Sequence, residues 1–359
     1  MEVAVQMKHE ILCSDIERQI EKLKLQGLNI INEDYAQLQL SCYGYSNLIK
    51  SYREPYTVKL EDGTRRYRSG VSFEQIASLH ELDRNIRNAV MAAMQDLEEY
   101  IKEQAANVIA NSFGTDHDEY LVYRKYQNKR KRVAKFELRA ILDTLRKHIT
   151  SDKDPIHHYY TKYEIVPPWI LFKSLYFGTI VNFIDLFKAK EQTEVMKLFL
   201  NYEKLKISED SARILMMNIL FISMEYRNNA AHGGRMYDFE PKTKLRNSVI
   251  FDEAQDDSSP GFTEFISLLR LLQYKNPYLQ LSAVLNQEVN RHCSAFPQDV
   301  TYLGQMLNID IVPCDNVFVS SKSGKYHKNP TCSGMKDALQ MEHDEAIQKG
   351  FEPCKRCVR

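Results

Sequence analysis

Apolar residues recur at helical spacing through most of this chain, and strand-like alternation is confined to two short stretches. Ser14 to Leu25 reads as a short amphipathic helix stopped at Gly27, and Glu33 to Lys50 as a second helix carrying several tyrosines. Tyr56 to Gly70, with Asp62-Gly63 at its centre, predicts a hairpin. Ser72-Phe-Glu-Gln75 has the spacing of a capping box, and periodic apolar residues then run from Ile76 to about Ile109. After an interruption at Asn111 to Asp118, Tyr120 to His148 predicts a strongly charged helix. Pro155 and Pro167-Pro168 mark the next boundary. Trp169 to Phe187 is apolar nearly all round, which predicts a central buried helix; Lys173, Asn182 and Asp185 within it argue against a membrane span.

Ser208-Glu-Asp-Ser211 then opens a helix whose apolar run, Ile214 to Met224, leads into Arg227, Asn228, His232 and Arg235, with Gly233-Gly234 as the stop signal. Asp252 to Gly261 is a loop by composition. Two more helices are expected over Phe262 to Tyr274 and Tyr278 to Arg291, and helical character continues to about residue 310. The fold class that follows is mainly α. From Val317 the pattern changes to a strand and turn, a short helix over Glu342 to Lys349, and a knuckle at Gly350 to Cys357. This divides the chain into residues 1–312, helical, and residues 313–359, a small α+β module.

The chain has 359 residues, of which 48 are basic and 48 acidic, so a net field does not steer it to polyanions and any affinity for nucleic acid must be local. The best local patch is Arg124, Lys125, Lys129, Arg130, Lys131 and Arg132, with Tyr123 and Tyr126 interleaved. Lysines and arginines so clustered release counterions from RNA and tyrosines stack on bases; the plainer alternative is a solvated helix face. No apolar run reaches about 18 residues and the start lacks a signal-like pattern, so no membrane partner and a cytoplasmic location are expected. Seven cysteines, four scattered (Cys13, Cys42, Cys293, Cys314) and three clustered near the end, suit a reducing compartment with one metal site.

That site is His327-x4-Cys332 with Cys354-x2-Cys357, four ligands of the kinds Zn2+ prefers. They close a tetrahedron, so the expected zinc is structural, stabilising a tail too small to hold itself together by apolar burial. Cys314 and His343 are possible substitute ligands, and reduced surface cysteines are the alternative without metal. His343-Asp-Glu345 ahead of Pro353-Cys-Lys-Arg-Cys357 copies the letters of a zinc-deaminase signature, but the short spacer between its halves leaves no room for the sheet that such an enzyme needs.

Arg227 and His232 are the candidate reacting groups. On one helix they stand about 140° and roughly 7.5 Å apart. Their head groups therefore converge only if the last turn unwinds at the glycines or if a second copy of the chain brings its own pair alongside. At a helix C-terminus the macrodipole favours imidazolium, which suits proton donation. The alternative is that Arg227 caps the last carbonyls while His232 packs beneath a loop.

Arg227-Asn228-Asn229-Ala230-Ala231-His232, with Arg235 beyond, resembles the Arg-x4-6-His motif of HEPN-superfamily ribonucleases, in the version carried by Abi-like abortive-infection proteins of the AbiD/AbiF type. Upstream, Leu25-Gln-Gly-Leu-Asn-Ile30, Ala36, Tyr43-Gly-Tyr45, Tyr52 and Pro55-Tyr56 are similar to that family's opening pattern, as are Phe73-Glu-Gln-Ile76, Leu82-Asp83-Arg84 and Val166-Pro-Pro-Trp169 with Phe177-Gly178-Thr179. The tail resembles Ada-like zinc modules with a histidine in place of one cysteine. Gly233 departs from the pattern, since many relatives carry a second histidine there. The resemblance implies a HEPN-type helical bundle and a homodimer whose two motifs share one cleft. It implies a metal-independent endoribonuclease of bacterial antiviral defence, of the toxin type, with Arg227, Asn228 and His232 catalytic and Arg235 on phosphate. It also allows a bound inhibitory non-coding RNA, as in a toxin–antitoxin pair. The rival readings are a non-catalytic protein that holds a structured RNA and a purely structural partner protein.

Overall fold

Polar residues cap the helix starts. Asp15 accepts the Arg18 N–H at 2.8 Å, Asn32 the Tyr35 N–H at 3.0 Å and Ser208 the Ser211 N–H at 3.1 Å. The computed structural model describes residues 15–129, 134–250, 256–311, 316–320, 323–327, 332, 335 and 337–358. Arg130, Lys131, Arg132, Cys13 and Cys314 lie outside the described residues. In chain order come helices α1 (Ile16–Leu25) and α2 (Glu33–Tyr43), strands β1 (Thr57–Lys59) and β2 (Arg65–Tyr67), and helices α3 (Phe73–Phe113), α4 (His117–Tyr120), α5 (Leu138–Ile149) and α6 (Ile156–Tyr163). Then follow α7 (Pro168–Leu171), α8 (Phe177–Ile184), α9 (Ala189–Phe199), α10 (Glu209–Ala231), α11 (Asn247–Ile250), α12 (Phe262–Leu269), α13 (Asn276–Ala295) and α14 (Val300–Leu307). The tail holds β3 (Asn316–Ser320), β4 (Ser323–His327), β5 (Leu339–Glu342), α15 (His343–Gln348) and β6 (Glu352–Pro353). The fold is therefore mainly α with a C-terminal α+β region. No helix among the described residues is long and apolar enough to cross a membrane.

The chain divides into two compact units. The first comprises Met1–Arg84, Asn290–Tyr302 and Pro313–Arg359; the second comprises Asn85–Val289 and Leu303–Val312. In the first, β1 and β2 form the expected antiparallel hairpin, Thr57 opposite Tyr67. The capping box before α3 is only half made. Ser72 Oγ accepts the Gln75 N–H at 3.2 Å, but Glu74 turns to the N–H groups of Ile31 and Asn32 at 3.1 and 2.9 Å, and Gln75 turns to Asp299.

Asp299 is the centre of this unit's polar core. Its buried carboxylate receives the Tyr56 hydroxyl at 2.6 Å, the Gln75 amide at 2.8 Å and His292 Nε2 at 2.8 Å, and His292 Nδ1 meets Ser78 Oγ at 3.0 Å. Burial first, and the neighbouring Asp299 charge second, push the Tyr56 hydroxyl far above the usual phenol range, so it stays a donor. Tyr52 similarly donates to Asp83 at 2.8 Å. The tyrosines and Gln75 of the opening pattern thus serve the scaffold. Asp299→Ala strands three polar groups in the core at once and is expected to destabilise this unit by about 3–5 kcal/mol, read by chemical denaturation.

The tail's sheet has the order β5-β3-β4-β6, with β3 antiparallel to both β4 and β5, and β6 parallel to β4. Its core is Val317, Val319, Tyr326 and Ala346, with Met341, Phe351 and Val358 packed against it. So few apolar side chains bury too little surface to hold such a module unaided.

In the second unit α10 packs against α8, α9 and α12. Two expected helices are broken here. Tyr120 to His148 is not one charged helix, because its tyrosines need cover: Tyr126 is buried with its hydroxyl on the Tyr120 carbonyl at 2.7 Å, and Tyr120 donates to the Val166 carbonyl at 2.6 Å. Among the described residues there, Leu138–Ile149 forms the one long helix. Trp169 to Phe187 is buried as expected but splits into α7, a short 3-10 turn and α8. Ser174 Oγ bonds back to the Leu171 carbonyl at 2.7 Å, and Leu175 and Tyr176 are extended.

Candidate functional site

Helix α10 is an apolar rod because Leu215, Ile219, Ile222 and Tyr226 recur on one buried face. Tyr226 sets the rotation of its last turn. The ring stacks on Phe265 with centroids 4.1 Å apart, and the hydroxyl bonds the carbonyls of Phe239 and Pro260 at 3.2 and 3.1 Å. Glu225 ties down the returning chain by accepting the N–H groups of Lys242 and Thr243 at 2.6 and 3.0 Å.

The end of α10 is a Schellman turn. Gly233 N–H bonds the Ala230 carbonyl at 3.1 Å and Gly234 N–H the Asn229 carbonyl at 2.9 Å, with Gly233 at φ 73°. That left-handed φ suits a glycine, since an L side chain there costs about 1 kcal/mol or more. A Cβ at Gly234 would stand 2.0 Å from Asn229 Oδ1, and Asn229 Nδ2 holds the Arg235 carbonyl at 2.7 Å. Gly234→Ala is expected to unseat Asn229 and cost about 1–3 kcal/mol, seen as a lower denaturation midpoint.

The alternative roles for the Arg/His pair are not those the structure assigns. Arg87 does the capping, its Nη1 donating to the Gly233 and Gly234 carbonyls at 2.8 and 3.3 Å. His232 is exposed rather than packed under a loop. Arg227 is half-buried, donates to Asn228 Oδ1 at 3.3 Å, and lines a cavity of about 770 Å³. Among the described residues no hydrogen bond joins Arg227 to His232. Arg235 is held by Asp238 at 2.6 Å; burial raises the Asp238 carboxyl above its usual range while Arg235 pulls it back.

A second constellation sits in the tail. His327 ends β4, and Cys354 follows β6 with its N–H on the Tyr326 carbonyl at 3.0 Å. Together with Cys332 and Cys357 they place four ligand atoms within 4.8 Å of one another. Cys332 and Cys354 have sulfurs 3.9 Å apart, far beyond a disulfide bond of about 2.05 Å, and Cys357 Sγ is 3.5 Å from His327 Nδ1. The Arg356 N–H, aided by that of Cys357, pulls the Cys354 thiol below the usual cysteine range. These four residues could hold a metal ion. His343 is not among them, its ring packing edge-on against Tyr326 at 4.8 Å. Asp116, His117 and Asp118 also cluster, but Asp116 caps its own turn and His117 Nδ1 meets the Val166 N–H.

The model of the Abi-like protein family matches residues 39–238, more than half of the chain. This chain belongs to the Abi-like family. No curated protein and no solved structure matches it. Family membership points to abortive-infection defence. The matched span covers Arg227, Asn228, His232 and Arg235 and stops well before the Cys/His cluster.

In this Abi-like chain the described residues of the basic stretch have different surroundings. Arg124 is exposed, Lys125 lies 4.9 Å over the Phe113 ring, and Lys129 pairs with Asp185 at 2.7 Å. Two residues of the site were invisible to sequence reasoning. Arg87 carries no motif and reaches the Gly233 turn only through the packing of α3 on α10's end. Trp169 belongs to a recognisable block, but its place in the cavity beside Arg227 needs the fold.

Proposed function

We propose that this Abi-like protein is a HEPN-type, metal-independent endoribonuclease acting in the cytoplasm as a homodimer. The observation that carries the reading is the end of α10. An exposed His232 and a half-buried, Asn228-braced Arg227 sit on a turn that Arg87 and two glycines hold rigid. Two such ends facing one another bring an imidazole of one copy to the guanidinium of the other. In the reaction a ribose 2′-OH loses its proton to His232 and its oxygen attacks the adjacent phosphorus. The bond to the 5′-oxygen breaks, and that oxygen takes a proton from an imidazolium, leaving a 2′,3′-cyclic phosphate and a 5′-OH. Arg227 stabilises the charge on the phosphorane-like transition state and Asn228 orients it. Arg235, with Arg124, Lys125, Lys129 and Arg130 to Arg132, holds flanking phosphates.

Residues 313–359 form a module closed by structural Zn2+. Four-coordinate zinc has sulfur–sulfur edges of about 3.8 Å and sulfur–nitrogen edges of about 3.5 Å, which the 3.9 and 3.5 Å separations at Cys332/Cys354 and Cys357/His327 fit. The second reading, a non-catalytic protein holding a structured non-coding RNA, draws on there being no hydrogen bond between Arg227 and His232 among the described residues. Mapping fragment ends after incubating purified protein with RNA decides between them. Cyclic phosphates with free 5′-hydroxyls are expected; intact RNA that co-purifies with the protein would favour the holder.

A further inference from the structure

The cavity beside Arg227 has a composition that the chemistry above does not use. One wall is Trp169, half-buried although its neighbours Ile170, Leu171 and Phe172 are buried. Aromatic side chains in this fold generally pair, yet among the described residues no ring packs on this indole and its N–H has no partner. The polar groups are segregated. Glu99 and Glu103, one turn apart on α3, have no ion pair among the described residues; Lys102 and Glu98, at 2.7 Å, neutralise each other. Facing chemistry comes from other elements: Lys173, exposed and unpaired among the described residues, and Arg227, whose partner is a neutral amide.

An unstacked indole, unpaired carboxylates on one element and unpaired cations on others describe a ligand with a flat face, hydrogen-bond donors and an anionic group. A volume of about 770 Å³ falls in the range of small-ligand sites. We propose that this cavity binds one nucleotide, its base stacked on Trp169 with donor groups toward Glu99 and Glu103, and its phosphate held by Lys173 and Arg227. Carboxylates accept from adjacent base N–H groups, which favours guanine over uracil, whose single N–H lies between two acceptors. The proposal rests on the RNA-directed reading of Arg227. Through that residue it would place a chosen base beside the phosphate to be cut.

Trp169 is the chain's one tryptophan, so its emission reports the site directly. The full-length protein is titrated with GMP, UMP, inorganic phosphate and a short guanine-containing oligonucleotide methylated at its 2′-oxygens, which cannot be cut. Saturable quenching by GMP or by the oligonucleotide is expected, with UMP several-fold weaker and phosphate silent. Lys173→Ala, a change at an exposed position, should weaken binding about tenfold with helix content unchanged. Quenching by the oligonucleotide but not GMP makes the natural ligand a nucleotide within single-stranded RNA; the converse makes it a free nucleotide, and both support the site. No quenching by either overturns it, as does an equal response to phosphate alone, and UMP matching GMP overturns the role of the carboxylates. Normal RNA cleavage without quenching would sink the pocket and leave the nuclease standing. Quenching in a protein that never makes cyclic phosphates would do the reverse.

Discussion

Replacing His232 with alanine is expected to lower RNA cleavage by about 10²–10⁴-fold or more, with helix content and metal content unchanged. The side chain is exposed and the turn it sits in is closed by backbone bonds, from His232 N–H to the Asn228 carbonyl and from the two glycines, so the fold does not depend on the imidazole. Arg227→Ala is expected to fall by a similar factor, and Arg227→Lys to recover only part of it, because one ammonium cannot present the guanidinium's planar fork to a phosphorane. Initial rates on a single RNA, with circular dichroism of each variant alongside, measure this. A His232→Ala protein that cuts at the normal rate removes the nuclease assignment. If the active species is a dimer, mixing His232→Ala with Arg227→Ala should restore activity through one mixed cleft. Absence of rescue in a proven heterodimer would mean that each chain supplies its own complete pair.

Cys354→Ser is the second large effect. Structural zinc contributes on the order of 10–16 kcal/mol in small zinc-dependent domains, and the apolar cluster among the described residues of this tail, seven side chains, offers little in its place. The purified protein is expected to carry one zinc per chain by elemental analysis, the variant far less, and limited proteolysis should then cut within residues 313–359. Cys42→Ser, at an exposed cysteine outside the cluster, should leave the zinc content unchanged. A variant at Cys354 that keeps both its metal and its protease resistance would show that the module is held by something else.

Much of the helical framework is legible residue by residue. Ser208 caps the helix it was expected to open, and Gly233 stops α10 because its left-handed backbone is easiest for glycine. The long charged helix expected over Tyr120 to His148 fails for a reason that periodicity does not encode. Tyr120 and Tyr126 look like surface tyrosines among lysines, yet each finds a carbonyl partner inside and the backbone bends to bury them. Ser174 breaks the expected Trp169 to Phe187 helix in the same manner, through a local hydrogen bond that competes with the helix ladder.

By itself the sequence determined the elements whose causes are local: caps, glycine stops, the Asp62-Gly63 hairpin, the buried face of α10 and the ligand spacing of His327, Cys332, Cys354 and Cys357. Tertiary structure alone decided which distant groups share a space. It put Arg87 on the Gly233 carbonyl, Asp299 at the meeting point of Tyr56, Gln75 and His292, and Trp169 in one cavity with Glu99, Glu103 and Arg227. The physical reason is one of range. Dihedral preferences and turn hydrogen bonds act over a few residues and are written in the local order of side chains. The burial of a carboxylate or the opening of a pocket depends on how whole helices pack, and no short stretch of chain contains that information.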